Sequence, residues 1–401
     1  MRLSLKKNIA IGLLLSSLAS LICFGIVGIG RKGVSNVDGA VLYAAGRAWL
    51  NGANPYDRNQ LVQSVAGIPE IDLEYAGFFY PPQTAAFSIF VALFNYPAAK
   101  IVWLLLNLLS IAVIVAITIY TINRHPNHNG NRVASWVMSA VIIGNPFTNH
   151  VVWMGQTSLI AFAAIMASWL FGQQKKWVLA GICLGLASFK PQLSVLIGLW
   201  FLLERNWKTL AVSLLTAAVM SIYPMWVMSP MGMLIAWHQG IQDSYYALPY
   251  NTLGFQDKVG FESLFAAAGL TLPGLKFLAL VLVAILWLYR NRINQEDILG
   301  IIMGISFSFV GYTHVYDYVG LMPLLTSLWM YSYNNRKAWL GSIALVFLLF
   351  LPRRFILGVG VPVLMHWRTV VVLIIMTFVF LQSMRHKDYQ KLQREMVLSE
   401  K

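Results

Sequence analysis

A chain of 401 residues with 58% hydrophobic and only 11% charged residues carries less than half the roughly 25% charge of a soluble domain, which excludes a soluble enzyme and a disordered chain. The net charge of +14 is spread as short Lys and Arg clusters between apolar runs, not as a basic face interleaved with aromatics. It therefore points to membrane lipids and positive-inside topology and excludes a nucleic-acid partner.

The first apolar run, about Ile9 to Ile29, follows Arg2, Lys6 and Lys7. It predicts an amino-terminal anchor that starts in the cytoplasm, because its length of about 20 residues and the lack of an A-x-A site disfavour a cleaved signal. An outer loop of about 31–97 then follows. Asp38 stands at the start of a helix predicted to run to about Leu50, where Gly52 and Asn54-Pro55 end it. Two readings of Asp38 stay open: an N-cap, or a general base for an incoming hydroxyl. Asp72 and Glu74 share one side of an extended strand but lack a third ligand for a metal. Pro82 to Asn95 is short for a crossing and bracketed by prolines, so it is expected to lie at the outer interface.

The next span, about Ala98 to Thr121, ends in Arg124, His125, His128 and Arg132, a basic loop that belongs inside. From there the chain is expected to cross outward to about Pro146. Asn149 to Gln156 then lies at the outer face, and the chain returns by Phe171 to Lys175-Lys176. Parity becomes informative at the next run. Trp177 to Leu203 has basic residues at both ends, so it crosses an even number of times, and Pro191 breaks it into two short half-helices with Lys190 near their apex. A lysine there either meets an anion or snorkels to the outer headgroups.

Beyond Lys208 a helix exits by Met228, and a second outer loop of about 229–274 holds Trp237, His238, Tyr245, Tyr246, Tyr250, Asp257 and Glu262. The remaining runs alternate: in to Arg290 and Arg292, out to His314 and Asp317, in to Arg336-Lys337, out by Leu351 and in again by Met384. His314 and Asp317 are three apart, a spacing that lets them hydrogen-bond to each other or to one ligand; an interfacial polar turn anchored by tyrosines is the alternative. Cys23 and Cys183 fall inside apolar runs, which offers neither a disulfide framework nor a thiolate metal site. The expected architecture is an all-α polytopic membrane protein of about 10–13 transmembrane helices with a helical first extracytoplasmic loop. Residues 1–384 form a single integral membrane domain and 385–401 a cytoplasmic tail. Most Lys and Arg lie inside and most acids outside, so the candidate chemistry gathers on the outer face of the cell (plasma or inner) membrane.

The string Asp38 to Asp57, then Phe79-Tyr80-Pro81-Pro82, then Trp153-Met154-Gly155-Gln156-Thr157, then Ala180 to Gln192 resembles glycosyltransferase family 87 in order and approximate spacing. These are GT-C membrane enzymes that include polyprenol-phosphate-mannose-dependent α-mannosyltransferases, and the similarity weakens after about Tyr331. The resemblance implies a GT-C-type fold, a polyprenyl-phosphate sugar as donor and mannose as the sugar. It also implies an inverting displacement, a base aspartate that falls on Asp38, and no metal or other cofactor. On this reading Lys190, His314, Asp317 and Gln156 hold the donor phosphate and sugar, while Tyr80 and Trp237 line a lipid-linked or cell-envelope glycan acceptor. A multi-pass lipid or solute transporter or flippase is the alternative, favoured only by the break at Lys190-Pro191.

Overall fold

The computed structural model describes residues 2–30, 36–71, 73, 77–128, 130, 132–245, 248–272, 274–311, 313–333 and 335–399. The possible metal pair Asp72 and Glu74, and the loop aromatic Tyr246, lie outside them.

Proline and glycine cut the apolar runs into helices. The first third of the chain folds as α1 (Arg2–Ser20), α2 (Val37–Leu50), α3 (Arg58–Gln63), α4 (Ala85–Ala92), α5 (Tyr96–Arg124) and α6 (Val133–Gly144). The middle third is α7 (Pro146–Met154), α8 (Ser158–Gln173), α9 (Trp177–Ala187), α10 (Pro191–Leu203), α11 (Trp207–Met220), α12 (Ile222–Met228), α13 (Pro230–Gly240) and α14 (Phe261–Ala267). The last is α15 (Leu275–Leu288), α16 (Gln295–Phe309), α17 (Met322–Ser332), α18 (Arg336–Phe350), α19 (Arg354–Leu357) and α20 (Trp367–Ser399). Among the described residues the only β pairing is an isolated antiparallel bridge between Lys258 and His314.

Three stretches are long and apolar enough to cross a bilayer alone: Lys7–Gly30, Tyr96–Arg124 and Pro362–Tyr389, of 24, 29 and 28 residues. At about 1.5 Å per residue each exceeds the hydrocarbon thickness of about 30 Å. Two further candidates are bent pairs, α7 with α8 at 118° and α11 with α12 at 51°. The other apolar helices are shorter. The eight residues of α4 span only about 12 Å, so the Pro82 to Asn95 segment does not cross as a helix. Pro191 takes the first position of α10, and α9 stops at Ala187, which makes the expected pair of short helices with Lys190 at the apex.

Outward-facing Ile101, Leu105 and Leu109 on α5 and Leu214, Leu215 and Val219 on α11 are all strongly exposed, the signature of a surface that meets lipid. Inside, a large core joins α5 to α10 with α15 to α18 and α20. A second, smaller core lies between α2, the segment around Phe78 and α5, around Leu42, Trp49, Phe78 and Trp103. It fixes α2. Gly46 is pressed so closely on Ser88 and Ala92 of α4 that any side chain there would overlap the Ser88 carbonyl. Trp49 is fully buried and meets Tyr56 edge-on.

Candidate active site

The start of α2 is held by three hydrogen bonds from distant segments. The Asn36 N–H donates to the Trp153 carbonyl at 2.8 Å and the Asn36 amide to the Tyr96 hydroxyl at 3.1 Å, while the Trp103 indole donates to the Gly155 carbonyl at 2.7 Å. Gly155 has φ of +68° and lies against Asn36 and Gly39, a conformation and a closeness that favour glycine. Asn36, itself left-handed, is the N-cap of α2. Asp38 is therefore not the cap; it sits in the first turn of α2, where the exposed N–H groups of a helix favour a negative charge.

The break between α7 and α8 delivers Gln156 to the same place. Its carbonyl oxygen accepts from the Tyr80 hydroxyl at 3.3 Å, the Thr157 N–H at 3.2 Å and the Lys190 ammonium at 3.1 Å. With that oxygen so used, the amide N–H is the group of Gln156 left to favour the charge of the Asp38 carboxylate, which Gln156 helps to stabilise. Burial nevertheless raises Asp38 to about 6, against the opposing pull of Lys190 and Gln156. The other oxygen, Oδ2, is buried without a hydrogen-bond partner among the described residues. A carboxylate oxygen with no donor is the unusual feature of this site.

Lys190 is buried and does not snorkel. Besides Gln156, its ammonium donates to Ser158 Oγ at 2.7 Å and to Asp317 Oδ1 at 2.9 Å, so all three protons have oxygen partners. The Tyr316 ring lies 5.1 Å below it, close enough for a cation–π contact. The apex carrying Lys190 is clamped by the segment that leads into α4 and by α4 itself. The Gln83 amide donates to the Ser188 carbonyl at 2.9 Å, and Phe87 meets Phe189 edge-on.

The expected side-chain pair of His314 and Asp317 is not what forms. The two close a capping box at the start of the 3₁₀ turn Val315–Leu321, in which each side chain accepts from the other residue's backbone. That frees Asp317 to face Lys190 and Ser158, 127 and 159 residues earlier in the chain. Burial pushes the Asp317 carboxyl up, but the Lys190 charge and the bonds from Ser158, Lys190 and the His314 N–H outweigh it and hold it below its ordinary value. His314 stacks on Tyr316 at 5.2 Å. Burial, with Lys258 next, pushes it down to about 3, so it is a neutral hydrogen-bonding ring at physiological pH.

The bridge that joins His314 to Lys258 brings in the segment before α14, through Val259 N–H to the Thr313 carbonyl at 3.1 Å and Val315 N–H to the Asp257 carbonyl at 2.8 Å. Lys258 is thereby buried against the Tyr245 hydroxyl and ring. Burial lowers it to about 8, with Asp317 and Glu262 pulling the other way. Tyr250, on the same loop, is partly exposed, and burial with the Asp38 charge raises its hydroxyl to about 12. Trp237 stays outside this network: its indole donates to the Phe79 carbonyl at 3.1 Å and braces the segment that carries Tyr80.

Asp38, Tyr80, Gln156, Lys190, His314 and Asp317 thus converge from five separate parts of the chain. Sequence reasoning missed Lys258, Ser158 and Asn36 and read Tyr316 only as an interfacial anchor. Ser158 directly follows the Trp153–Thr157 motif and could have been found as the start of α8. Lys258 has no local signal, since a lone lysine in a polar loop looks like any other.

The sequence model of glycosyltransferase family 87 matches residues 78–313, well over half of the chain. The protein belongs to glycosyltransferase family 87. No curated protein and no solved structure matches it. Family 87 membership makes it a glycosyltransferase, acting between a sugar donor and an acceptor, and the apolar helices make it a membrane protein. The matched stretch holds Tyr80, Gln156, Lys190, Trp237 and Lys258 but not Asp38, His314 or Asp317. Those three enter the site through the fold alone.

Proposed function

We propose that this family 87 enzyme transfers one sugar, mannose, from a polyprenyl phosphate to a hydroxyl of a lipid-linked or cell-envelope acceptor, with inversion, at the extracytoplasmic face of the cell membrane. The observation that carries the reading is the buried, partnerless Oδ2 of Asp38, in a carboxyl raised to about 6. A base works best when its pKa lies near the operating pH. Asp38 takes the acceptor's hydroxyl proton as that oxygen bonds to the anomeric carbon. The bond from this carbon to the phosphate oxygen breaks on the opposite face, and the polyprenyl phosphate leaves with the electron pair.

The departing phosphate gathers negative charge, and preorganised cations in a dry site are the effective way to stabilise it. Lys190 and Lys258 are the buried ammonium groups here. Lys190 acts from within its pair with Asp317 and at the same time fixes Gln156, which orients Asp38. Neutral His314 hydrogen-bonds the donor headgroup, and Tyr80 and Trp237 line the acceptor side. An outward site requires a lipid-borne donor, because nucleotide sugars are cytoplasmic.

Transfer from radiolabelled polyprenyl-phosphate mannose to membrane lipids, measured with purified protein in liposomes, tests the reading. Label should appear in an acceptor with wild-type protein and not with Asp38→Asn. Equal transfer by both proteins rules out the base; no transfer from this donor by active wild-type preparations, with transfer from another polyprenyl-phosphate sugar, rules out mannose alone.

A further inference from the structure

The helices that carry the Asp38 site have a second, very different end. The C-terminal ends of α8 and α10, with the N-terminal ends of α9, α11 and α16, line an open cavity of about 700 Å³. Since α8 is 16 residues long, this cavity lies about 24 Å from the Gln156 end. It belongs to the side that the positive-inside pattern assigns to the cytoplasm.

Its charged lining is Lys175, Arg205, Lys208 and Arg290 against the single acid Glu204. Glu204 is already engaged: it pairs with Arg290 at 3.1 Å and accepts from the Trp287 indole at 2.7 Å. Among the described residues Lys175, Arg205 and Lys208 make no ion pair. Three uncompensated cations around one cavity repel each other, and an anion relieves that repulsion.

Backbone conformation gives a second, independent indication. The α8–α9 turn and the α10–α11 turn each place a basic residue in the left-handed region, Lys175 at φ of +59° and Arg205 at +55°. Glycine or asparagine is the ordinary residue at such a helix end. A long basic side chain there carries a cost of about 1 kcal/mol, and at both turns it is a cation that lines the same cavity.

The surroundings say which anion. Trp177 and Trp207 line the cavity, Trp207 strongly exposed, and tryptophan is the residue that anchors a membrane protein in the headgroup region. From there Val178, Leu179 and Ile182 of α9 and Leu214 and Leu215 of α11 form exposed apolar surface along which acyl chains can run. Basic pockets between helices at the cytoplasmic side are suited to phosphate headgroups of lipids.

We propose that this cavity binds the phosphodiester headgroup of an anionic phospholipid, held by Lys175, Arg205 and Lys208, with its acyl chains against α9 and α11. The site is separate from the Asp38 chemistry and stands whether or not mannose is the sugar transferred.

The test uses the full-length purified protein in neutral detergent. Native mass spectrometry would follow titration with phosphatidylglycerol, with phosphatidylcholine and with free glycerol 1-phosphate, and brominated phosphatidylglycerol would report contact by quenching of tryptophan fluorescence. Wild-type protein should retain phosphatidylglycerol at least tenfold more tightly than phosphatidylcholine or glycerol 1-phosphate. Each of Lys175→Gln, Arg205→Gln and Lys208→Gln should weaken it about fivefold, and Trp207→Phe should reduce the quenching without changing affinity for the unbrominated lipid by more than about twofold. The single variants guard against a triple variant that fails to fold. Equal retention of the two lipids, or unchanged affinity in all three glutamine variants, overturns the proposal. Glycerol 1-phosphate binding as tightly as the lipid overturns the lipid assignment.

Discussion

Two buried acid–base pairs lie at opposite ends of α16's neighbourhood, and they do different things. Beyond the C-terminal end, Asp317 meets Lys190 at 2.9 Å; at the N-terminal end, Asp297 meets His125 at 3.3 Å. Both acids are fully buried, and both pairs join segments more than a hundred residues apart. The Asp297 cluster is closed. Its second oxygen accepts from the Tyr331 hydroxyl at 2.6 Å, Ser327 also donates to it, and His125 Nδ1 accepts from the Asn127 N–H at 3.2 Å, which leaves the imidazole proton on Nε2 for Asp297. Around the Lys190 pair the chain instead leaves Asp38 Oδ2 open. Burial of a polar group is not what distinguishes the two ends; the difference is that, among the described residues, the buried carboxylate oxygen without a partner is the one on Asp38.

The sharpest way to break that comparison is Asp38→Asn. It preserves shape and, because the N-cap position belongs to Asn36 and not to Asp38, leaves the start of α2 in place, so proton acceptance is what is lost. Transfer should fall by about 10²–10⁴-fold with normal yield and membrane insertion, as read by initial rates and gel filtration. Near-normal turnover would make the open oxygen irrelevant.

Lys190→Met comes next. Removing one member of a buried pair leaves Asp317 unpaired, a loss of about 3–5 kcal/mol, and frees Gln156 from its position beside Asp38. Both melting temperature and kcat should drop. Adding Asp317→Asn should restore most of the melting temperature but little of the activity. If the double variant recovers both, the pair is structural and Lys190 has no part in transfer.

The pH profile follows from the raised Asp38. Transfer needs the ionised base, so kcat/KM should fall about tenfold per unit as pH drops below about 6. Stability moves the opposite way. A folded pKa above the ordinary 3.8 means that the folded chain binds this proton more tightly than the unfolded chain. The penalty for the buried charge is absent below about 3.8 and complete above about 6. Asp38→Asn should therefore melt higher than wild type at pH 7 and equal to it at pH 4. A profile flat between pH 5 and 7 would exclude Asp38 as the titrating base.

The smallest effect on chemistry belongs to the closed cluster. His125→Ala should cost about 1–3 kcal/mol of stability by leaving Asp297 short of a donor, while kcat per folded molecule stays within about twofold of wild type. A large loss of kcat with an unchanged melting temperature would show that the two ends are coupled in catalysis.

Most of the architecture was legible from local signals. Charge clusters at the ends of apolar runs and the proline at 191 were enough for the membrane class, for the helix over Val37–Leu50 and for the break at Lys190, because each depends only on neighbours in the chain. The Asp38 position itself was legible, but of its two open readings the cap falls to Asn36, whose left-handed turn is bonded to Trp153 and Tyr96 far along the chain.

Composition and spacing by themselves determined that this is an all-α membrane protein and which polar residues stand beside its apolar runs. Those are properties of one segment at a time, set by hydropathy, proline and charge. Tertiary structure alone decided that Lys190 meets Asp317, that Lys258 joins them through a single bridge, and that one oxygen of Asp38 is left without a partner among the described residues. Contacts between residues 32 to 159 positions apart depend on how the bent helices pack. A period of 3.6 residues carries no information about that.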